Sequence, residues 1–363
     1  MVVILFQMVY KDGRTVTQKA DVQEIWSAKW GAGAGGGGED GKGCRNYYPS
    51  LVGCFLPTEG DLAGKIPVRT SFVDEKCSGG AVNLSIRAGK KPKLKKKFAV
   101  CVKPVRFQGY NRRSLAEWIG LNRLLGAEKI IFYGNVTLDV LKFSGKKKRT
   151  ETVKFESPPF RECGGNPYEE SLWTKRKIEV ITYNDCFYRN LYEAEFVIPL
   201  DLDEIIVPKS SENWQEAFLS HFGDQTPEYA SFSVRNAYFF SDYPKKAVAY
   251  DSGNRSLKLV SSTRNNPEES IFRRKIRSFV LSPQTDSTKS FVKISKTLSV
   301  FNHYAFHVLG GAIRQYVFPE KVMQLNHYRN VCDPVLIDDC QRFLNYVTYD
   351  DTLEKFRNKL YHL

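Results

Sequence analysis

From Glu195 to Pro208 the chain reads E-F-V-I-P-L-D-L-D-E-I-I-V-P, an apolar stretch interrupted by Asp201, Asp203 and Glu204. Apolar runs rich in branched residues make buried strands, and a buried strand demands partners on both sides and cover on both faces. If the run stays extended, its side chains alternate, so Asp201 and Asp203 project from one face and Leu202 from the other. Two carboxylates held that close repel, and apolar flanks remove the water that would screen them. A divalent cation relieves that repulsion, and carboxylate oxygens suit such ions. The stretch therefore predicts a core strand whose end binds metal or phosphate.

Regular patterning surrounds it. Phe98–Val105 reads as a strand, Ser114–Leu125 as a helix capped by Ser114 and ended by Gly126, and Lys129–Tyr133 as a second strand. Strand, helix and strand at this spacing make a right-handed parallel unit. In a second unit, Ile178–Ile181 and Phe196–Leu200 read as strands around a helix from Asp185 to Glu193, with Asn184 or Asp185 as its cap. Tyr229–Phe240, Ile271–Leu281, Phe291–Ile294 and Leu325–Tyr328 are further strand candidates, and Ile337–Val347 and Leu353–Leu360 closing helices. The expected fold class is α/β, a mixed and mainly parallel sheet flanked by helices. Ligands of such sheets bind beyond the carboxyl ends of the strands, where Asp201 and Asp203 fall. Residues 98–363 make the expected catalytic domain. Residues 1–97 read as a poorly ordered or accessory, stem-like region, with a flexible glycine-rich linker over 31–43.

A net charge of +14 favours acidic partners. Much of it lies in two runs, Lys90–Lys97 and Lys146–Arg149, which read as solvated loop charge. No aromatic-interleaved basic stripe, zinc finger or helix-turn-helix accompanies them, so nucleic acid is not an expected partner. No stretch approaches the ~18 apolar residues of a membrane span, so membrane association is expected through an anchor absent from or unrecognised in this sequence. The eight cysteines show neither C-x-x-C nor zinc spacing. Their even number is compatible with disulfides in an oxidising lumen, with about a hundred pairings open. Cys101, inside an apolar strand, reads as an inert core thiol.

The segment from Tyr183 to Pro208 resembles the core signature of glycosyltransferase family 92. F-A-V-C-V-K-P-V (98–105), A-E-W-I-G-L-N-R-L-L-G-A-E-K-I-I-F-Y (116–133), K-I-S-K-T-L-S-V-F-N-H (293–303) and L-N-H-Y-R (325–329) are similar to further elements of that family. The blocks keep the family's order, and the resemblance runs over residues 98–330. It implies a GT-A type, Rossmann-like glycosyltransferase using a UDP-sugar donor, foremost UDP-galactose. It also implies Mn²⁺ (or Mg²⁺), inversion at the anomeric carbon and a glycan acceptor, N-glycan or polysaccharide. The implied setting is the Golgi or secretory lumen, with a membrane anchor in a full-length form.

Glycosyl transfer leaves a diphosphate with developing negative charge, which a bound cation stabilises. On the resemblance, Asp203 is the direct metal ligand, and Asp201 reaches the metal through water or contacts the ribose. His303 brings a third ligand, since a neutral imidazole suits Mn²⁺; His307 is a weaker candidate. His327 and Arg329 are expected at phosphate, which a guanidinium fork matches well. Asp185 and Arg189, at i and i+4, either orient the nucleotide or pair with each other. Arg106, past the first strand, is expected near the nucleotide. Inversion needs a general base, for which Glu268, Glu269 and Asp242 are the candidates. The alternative reading is a haloacid-dehalogenase-like phosphatase with Asp201 as nucleophile and Asp203 as acid. Glu204 and Ile205 depart from the residues that motif prefers.

Overall fold

Along β7 (Lys96–Pro104) the side chains of Phe98, Val100 and Val102 join one apolar cluster, and those of Ala99 and Cys101 another on the opposite face. That is the two-residue alternation of a strand, and burial of both faces places β7 inside a covered sheet. The computed structural model describes residues 4–26, 49–74, 82–86, 96–105, 112–134, 153–157, 172–243, 248–251, 256–259, 270–284, 287–334, 337 and 340–361. Two units emerge, one built from residues 1–39 and 45–93, the other from 40–44 and 94–363.

In the first unit, β1 (Ile4–Val9), β2 (Thr15–Lys19), β5 (Arg69–Asp74) and β6 (Val82–Ser85) form an antiparallel sheet in the order β2-β1-β5-β6. A separate pair joins β3 (Asp21–Glu24) to β4 (Ser50–Gly53). The stretch read as poorly ordered or accessory thus carries sheet structure over its described residues; the glycine run at 31–43 lies outside them.

The second unit is built on a nine-stranded sheet. Its strands are β7, β8 (Lys129–Tyr133), β9 (Val153–Glu156), β10 (Ala194–Pro199), β11 (Glu204–Pro208), β12 (Tyr229–Phe240), β16 (Thr288–Lys293), β19 (Ile313–Val317) and β20 (Met323–Arg329). They run in the order β11-β20-β12-β16-β10-β7-β8-β9, with β19 also pairing β12. Pairings β10·β7, β7·β8, β8·β9, β12·β19 and β12·β20 are parallel, while β16 and β11 run antiparallel to their neighbours. This is the mixed, mainly parallel α/β sheet expected. Smaller sheets comprise β13 (Val248–Asp251), β14 (Ser256–Leu259), β15 (Ile276–Ser278) and β21 (Tyr346–Tyr349), and the hairpin β17 (Thr297–Val300) with β18 (Ala305–Val308).

Helix α1 (Arg112–Leu125) lays Leu115, Trp118, Leu121 and Leu125 onto Phe98, Val100, Ile130 and Phe132. On the other face, α2 (Leu172–Arg189) packs Tyr183, Cys186 and Phe187 against Ala99, Cys101, Ile131 and Tyr133. Each such apolar side chain contributes ~1.5–3 kcal/mol by leaving water. Helix α3 (Trp214–Phe222) adds Trp214 and Phe218 to the first face. Helices α4 (Cys340–Asn345) and α5 (Glu354–Tyr361) close the chain, and Gly120 leaves room on α1 for Leu360 of α5.

Several local expectations are corrected. Ile178–Ile181 is no strand but the middle of α2, so Asn184 and Asp185 sit inside a helix rather than at a cap. The branched run Ile178, Val180, Ile181 imitates a strand, but Glu179, Tyr183 and Cys186 share the helix face that meets β7. Ser114 likewise lies within α1. Ile271–Leu281 resolves into a 3₁₀ turn at Ile271–Arg273 and the short β15, and Ile337–Val347 ends in β21 rather than continuing as helix. Cys101 is bridged to Cys186, with Cα atoms 6.1 Å apart, and Cys332 to Cys340.

Candidate functional site

The Asp-x-Asp does not continue a strand. β10 ends at Pro199 and β11 begins at Glu204, and a turn joins them in which the Glu204 N–H donates to the Asp201 carbonyl at 3.1 Å. The turn is clamped from three sides. Glu204 Oε2 accepts the Asp201 N–H at 3.0 Å, Trp118 Nε1 donates to the Glu204 carbonyl at 2.8 Å, and the Tyr328 N–H donates to the Asp203 carbonyl at 2.7 Å. Asp201 and Asp203 therefore do not share one face of an extended chain. Asp201 turns inward with 14% of its side chain exposed, Asp203 outward with 45%.

Asp201 is surrounded by cations. Lys103 Nζ, from β7, lies 2.9 Å from its Oδ2, and Lys289 Nζ, from β16, lies 3.5 Å from the same atom. Tyr183 of α2 donates its hydroxyl to Oδ1 at 3.1 Å. Behind them, Glu179 stands 3.9 Å from Lys103 and 2.8 Å from Arg176, while Lys289 reaches Glu204 at 3.3 Å. Burial works against the Asp201 anion, yet Lys103 and Lys289 outweigh it and hold the carboxyl well below its usual range. Burial also opposes the Lys103 and Lys289 ammoniums, but Asp201 and Glu179 raise the first, and Asp201 and Glu204 the second, above the ordinary value. Glu204 is pushed the other way, upward, by its burial. Both lysines are charged at neutral pH.

On the outward side, His327 of β20 brings Nε2 within 3.4 Å of Asp203 Oδ2 and Nδ1 within 3.6 Å of Glu204 Oε1. Register explains the meeting: Glu204 of β11 stands opposite His327 of β20. Desolvation opposes the Asp203 anion, but with nearly half its side chain exposed the pull of His327 wins, and the carboxyl falls below its ordinary range. His327 Nδ1 is a buried nitrogen without a hydrogen-bond partner.

His303, in the turn between β17 and β18, directs Nδ1 at the Thr288 carbonyl, 2.7 Å away. Burial, with Lys289 nearby, pushes its pKa down to about 3, so the ring is neutral. Nδ1 then carries the proton and Nε2 keeps its lone pair, as a metal-ligating histidine requires. Its charged neighbours are Lys289, Arg176 and Asp201, so it stands on the Asp201 side of the cluster. Among the described residues, no three His, Cys, Asp or Glu side chains gather into a ready metal cage.

The other expected residues divide. Arg329 follows His327 by two on β20 and shares its face. Asp242 is exposed just past the end of β12. Asp185 and Arg189 pair with each other at 2.6 Å, Asp185 also accepting from the Tyr133 hydroxyl at 2.6 Å and Arg189 approaching Glu156. They sit beyond β8 and β9 and make no contact with the Asp201 carboxylate that the structure records among the described residues. His307 hydrogen-bonds Ser299 at 2.7 Å. Arg106, Glu268 and Glu269 lie outside the described residues.

Sequence reasoning missed Lys103, Arg176, Glu179 and Lys289. The signal was present: Lys103 interrupts the apolar run from Phe98 to Val105, and Glu179 sits between Ile178 and Val180. A charge inside an apolar run is expensive unless paired. A separate cavity of about 520 Å³ includes Lys209, Arg277, Glu320 and Asp350 in its lining. Those charges pair with one another, Arg277 with Asp350 and Glu320 at 2.8 Å each, and Lys209 with Asp350 at 3.2 Å. They brace β15 and β21, far along β11 from the acidic turn.

The sequence pattern described as Glycosyltransferase family 92 matches residues 96–361. Beta-1,4-galactosyltransferase galt-1 of Caenorhabditis elegans is 30% identical over 118 residues, which is 31% of this chain and 25% of that protein. Among solved structures, the mannosyltransferase Ktr4p of S. cerevisiae aligns over 40% of both chains at 13% identity with a TM-score of 0.25. The same enzyme in complex with GDP aligns over 42% of this chain and 46% of that one, at 12% identity and a TM-score of 0.24. Likeness that slight leaves the fold to be read from the sheet itself.

Proposed function

The chain belongs to glycosyltransferase family 92, and on that premise we propose that it moves galactose from UDP-galactose to a glycan acceptor, with inversion and with a divalent cation, Mn²⁺ or Mg²⁺. The observation that carries this reading is the turn at the end of β10, where Asp203 presents a half-exposed carboxylate beside His327 Nε2 at 3.4 Å. A carboxylate oxygen and an imidazole nitrogen suit such an ion, and it is Nε2 of His327 that faces Asp203. Asp203 and His327 would hold the cation, with Arg329 on the same strand face toward phosphate. When bound, the ion supplies positive charge to the departing diphosphate.

The protein's own groups do the rest. Lys103, Lys289 and Tyr183 fix Asp201, and the clamps from Trp118 and Tyr328 fix the turn. Asp242 stands as the described candidate for the base that takes the acceptor hydroxyl proton. Likeness to a galactosyltransferase over a quarter of that protein's length supports galactose as the sugar. The two bridges, Cys101–Cys186 and Cys332–Cys340, support an oxidising compartment such as the Golgi lumen. Among the described residues no helix is long and apolar enough to cross a membrane. A phosphatase using Asp201 as nucleophile has no support here, because the family match over residues 96–361 is to glycosyltransferases.

The test is turnover of a UDP-sugar panel with and without Mn²⁺. UDP-galactose is expected to be consumed fastest, and Asp203→Ala to lose at least ~100-fold, as removal of a charge-stabilising group does, with an unchanged melting temperature. Full activity in Asp203→Ala, or no turnover of any UDP-sugar by the wild type, defeats the reading.

A further inference from the structure

We propose that the two aspartates have separate tasks: Asp201 is a fixed counter-ion that holds Lys103, which with the Glu179-held Arg176 forms a diphosphate-binding site, leaving Asp203 as the carboxylate for a metal. This rests on the transferase reading and says how its site grips the donor.

The first ground is occupancy. Both oxygens of Asp201 are engaged, Oδ2 by Lys103 at 2.9 Å and Lys289 at 3.5 Å, Oδ1 by the Tyr183 hydroxyl at 3.1 Å. A metal entering that carboxylate must displace an ammonium. Lys289, with 2% of its side chain exposed, has no route to water, and its other carboxylate is Glu204. Holding a divalent ion and two ammoniums on one carboxylate is strongly repulsive in so dry a place.

The second ground is charge balance. Lys103, Lys289 and Arg176 stand against Glu179, Asp201 and Glu204, three cations to three anions, within the ion pairs already given. Asp201 is thereby compensated within its own cluster and offers a metal ion no spare negative charge. Asp203 lies outside it with its carboxylate toward solvent.

The third ground is access. Lys103 keeps 33% of its side chain exposed and Arg176 21%, against 2% for Lys289, so of the three cations these two can be met from solvent. An ammonium has three N–H donors, and Lys103 spends one on Asp201. A guanidinium fork matches phosphate oxygens. An arriving diphosphate therefore meets two part-exposed cations, oriented from behind by Asp201 and Glu179. Lys289 is a positioning residue. Asp203 and His327 alone are few ligands for an ion that prefers about six, so the cation is expected to bind tightly only together with the nucleotide.

The experiment is calorimetric binding of UDP to the full chain, once in EDTA and once in Mn²⁺. The wild type is expected to bind UDP in EDTA and more tightly in Mn²⁺. Lys103→Met is expected to weaken binding in EDTA by about tenfold or more, the size of one charge-assisted hydrogen bond, with Lys103→Arg recovering part of it. Asp203→Asn is expected to lose the Mn²⁺-dependent tightening and still bind in EDTA. Should Lys103→Met lose its fold, judged by melting temperature, Arg176→Gln reads the same site. UDP binding in EDTA that neither Lys103→Met nor Arg176→Gln weakens overturns the proposal, as does Mn²⁺-dependent tightening that survives in Asp203→Asn. Absence of UDP binding by the wild type in both conditions overturns the transferase reading, and this inference with it.

Discussion

Replacing Lys289 with methionine isolates the energetics of the cluster. The ammonium has 2% of its side chain exposed and lies 3.3 Å from Glu204 Oε2 and 3.5 Å from Asp201 Oδ2. Methionine fills similar volume without charge, so the packing term is small and the electrostatic term dominates. Asp201 keeps Lys103, but Glu204, with 3% of its side chain exposed, loses its ammonium. Breaking a buried pair from one side costs ~3–5 kcal/mol. In a domain of this size each kcal/mol moves the midpoint by about 2–4 °C, so melting should fall by roughly 6–20 °C. Adding Glu204→Gln removes the orphaned anion while leaving an oxygen to accept the Asp201 N–H. The double variant is therefore expected to regain ~1–3 kcal/mol over Lys289→Met alone. Urea unfolding of the four proteins of the cycle, followed by circular dichroism, measures both quantities. A loss below about 1 kcal/mol for Lys289→Met, or a double variant as unstable as the sum of the singles, refutes a buried pair here.

Two further outcomes test the frame around the site. Replacing Cys101 and Cys186 together with alanine opens a covalent loop of 85 residues, and the loop-entropy account puts the loss at about 4.5 kcal/mol; non-reducing peptide mapping that finds neither cysteine bridged removes its basis. For Asp350, burial opposes the anion, but Lys209, Thr352 and Arg277 outweigh it and hold the carboxyl below its ordinary range. A carboxyl lowered on folding contributes stability that is fully present above its unfolded pKa of about 3.9 and fades as pH falls through the folded value. Asp350→Asn should then cost ~3–5 kcal/mol at neutral pH, with the gap to wild type closing in acid; a gap that stays constant from pH 7 to about 3 refutes the assignment.

What the sequence disclosed follows from which forces are local. Lys129–Tyr133, four apolar residues closed by Gly134, and Tyr229–Phe240, a stretch rich in aromatic residues, read correctly to the residue. The acidic turn was legible as chemistry, since carboxylates among apolar residues need partners wherever they fold. Its shape was not, because the turn is held by Trp118 from α1 and Tyr328 from β20, contacts 86 residues away in one case. Ile178–Ile181 misled for a similar reason: its branched residues favour a strand locally, and the tie of Cys186 to Cys101 belongs to the tertiary fold. Asp185 and Arg189 were placed rightly as an i, i+4 pair, and the structure seats them on Tyr133 and Glu156 rather than on the acidic turn.

Helix α2 ties these observations together. Glu179, Tyr183 and Cys186 are spaced four and three residues apart, so they lie along one stripe of the helix. That stripe meets the β7 residues Cys101 and Lys103, which point to the same side of their strand. One contact is covalent, Cys186 to Cys101; the next two deliver a hydroxyl to Asp201 and a carboxylate toward Lys103. A buried ion cluster is weak as a source of stability, since apolar residues of the same volume would often hold the core as well or better. Six charged side chains meeting at the end of a central strand therefore point to selection for an arrangement of charge rather than for stability. The disulfide one helical turn behind Tyr183 is what keeps that arrangement from drifting, because it fixes the register of α2 on β7 at the point where the charges begin.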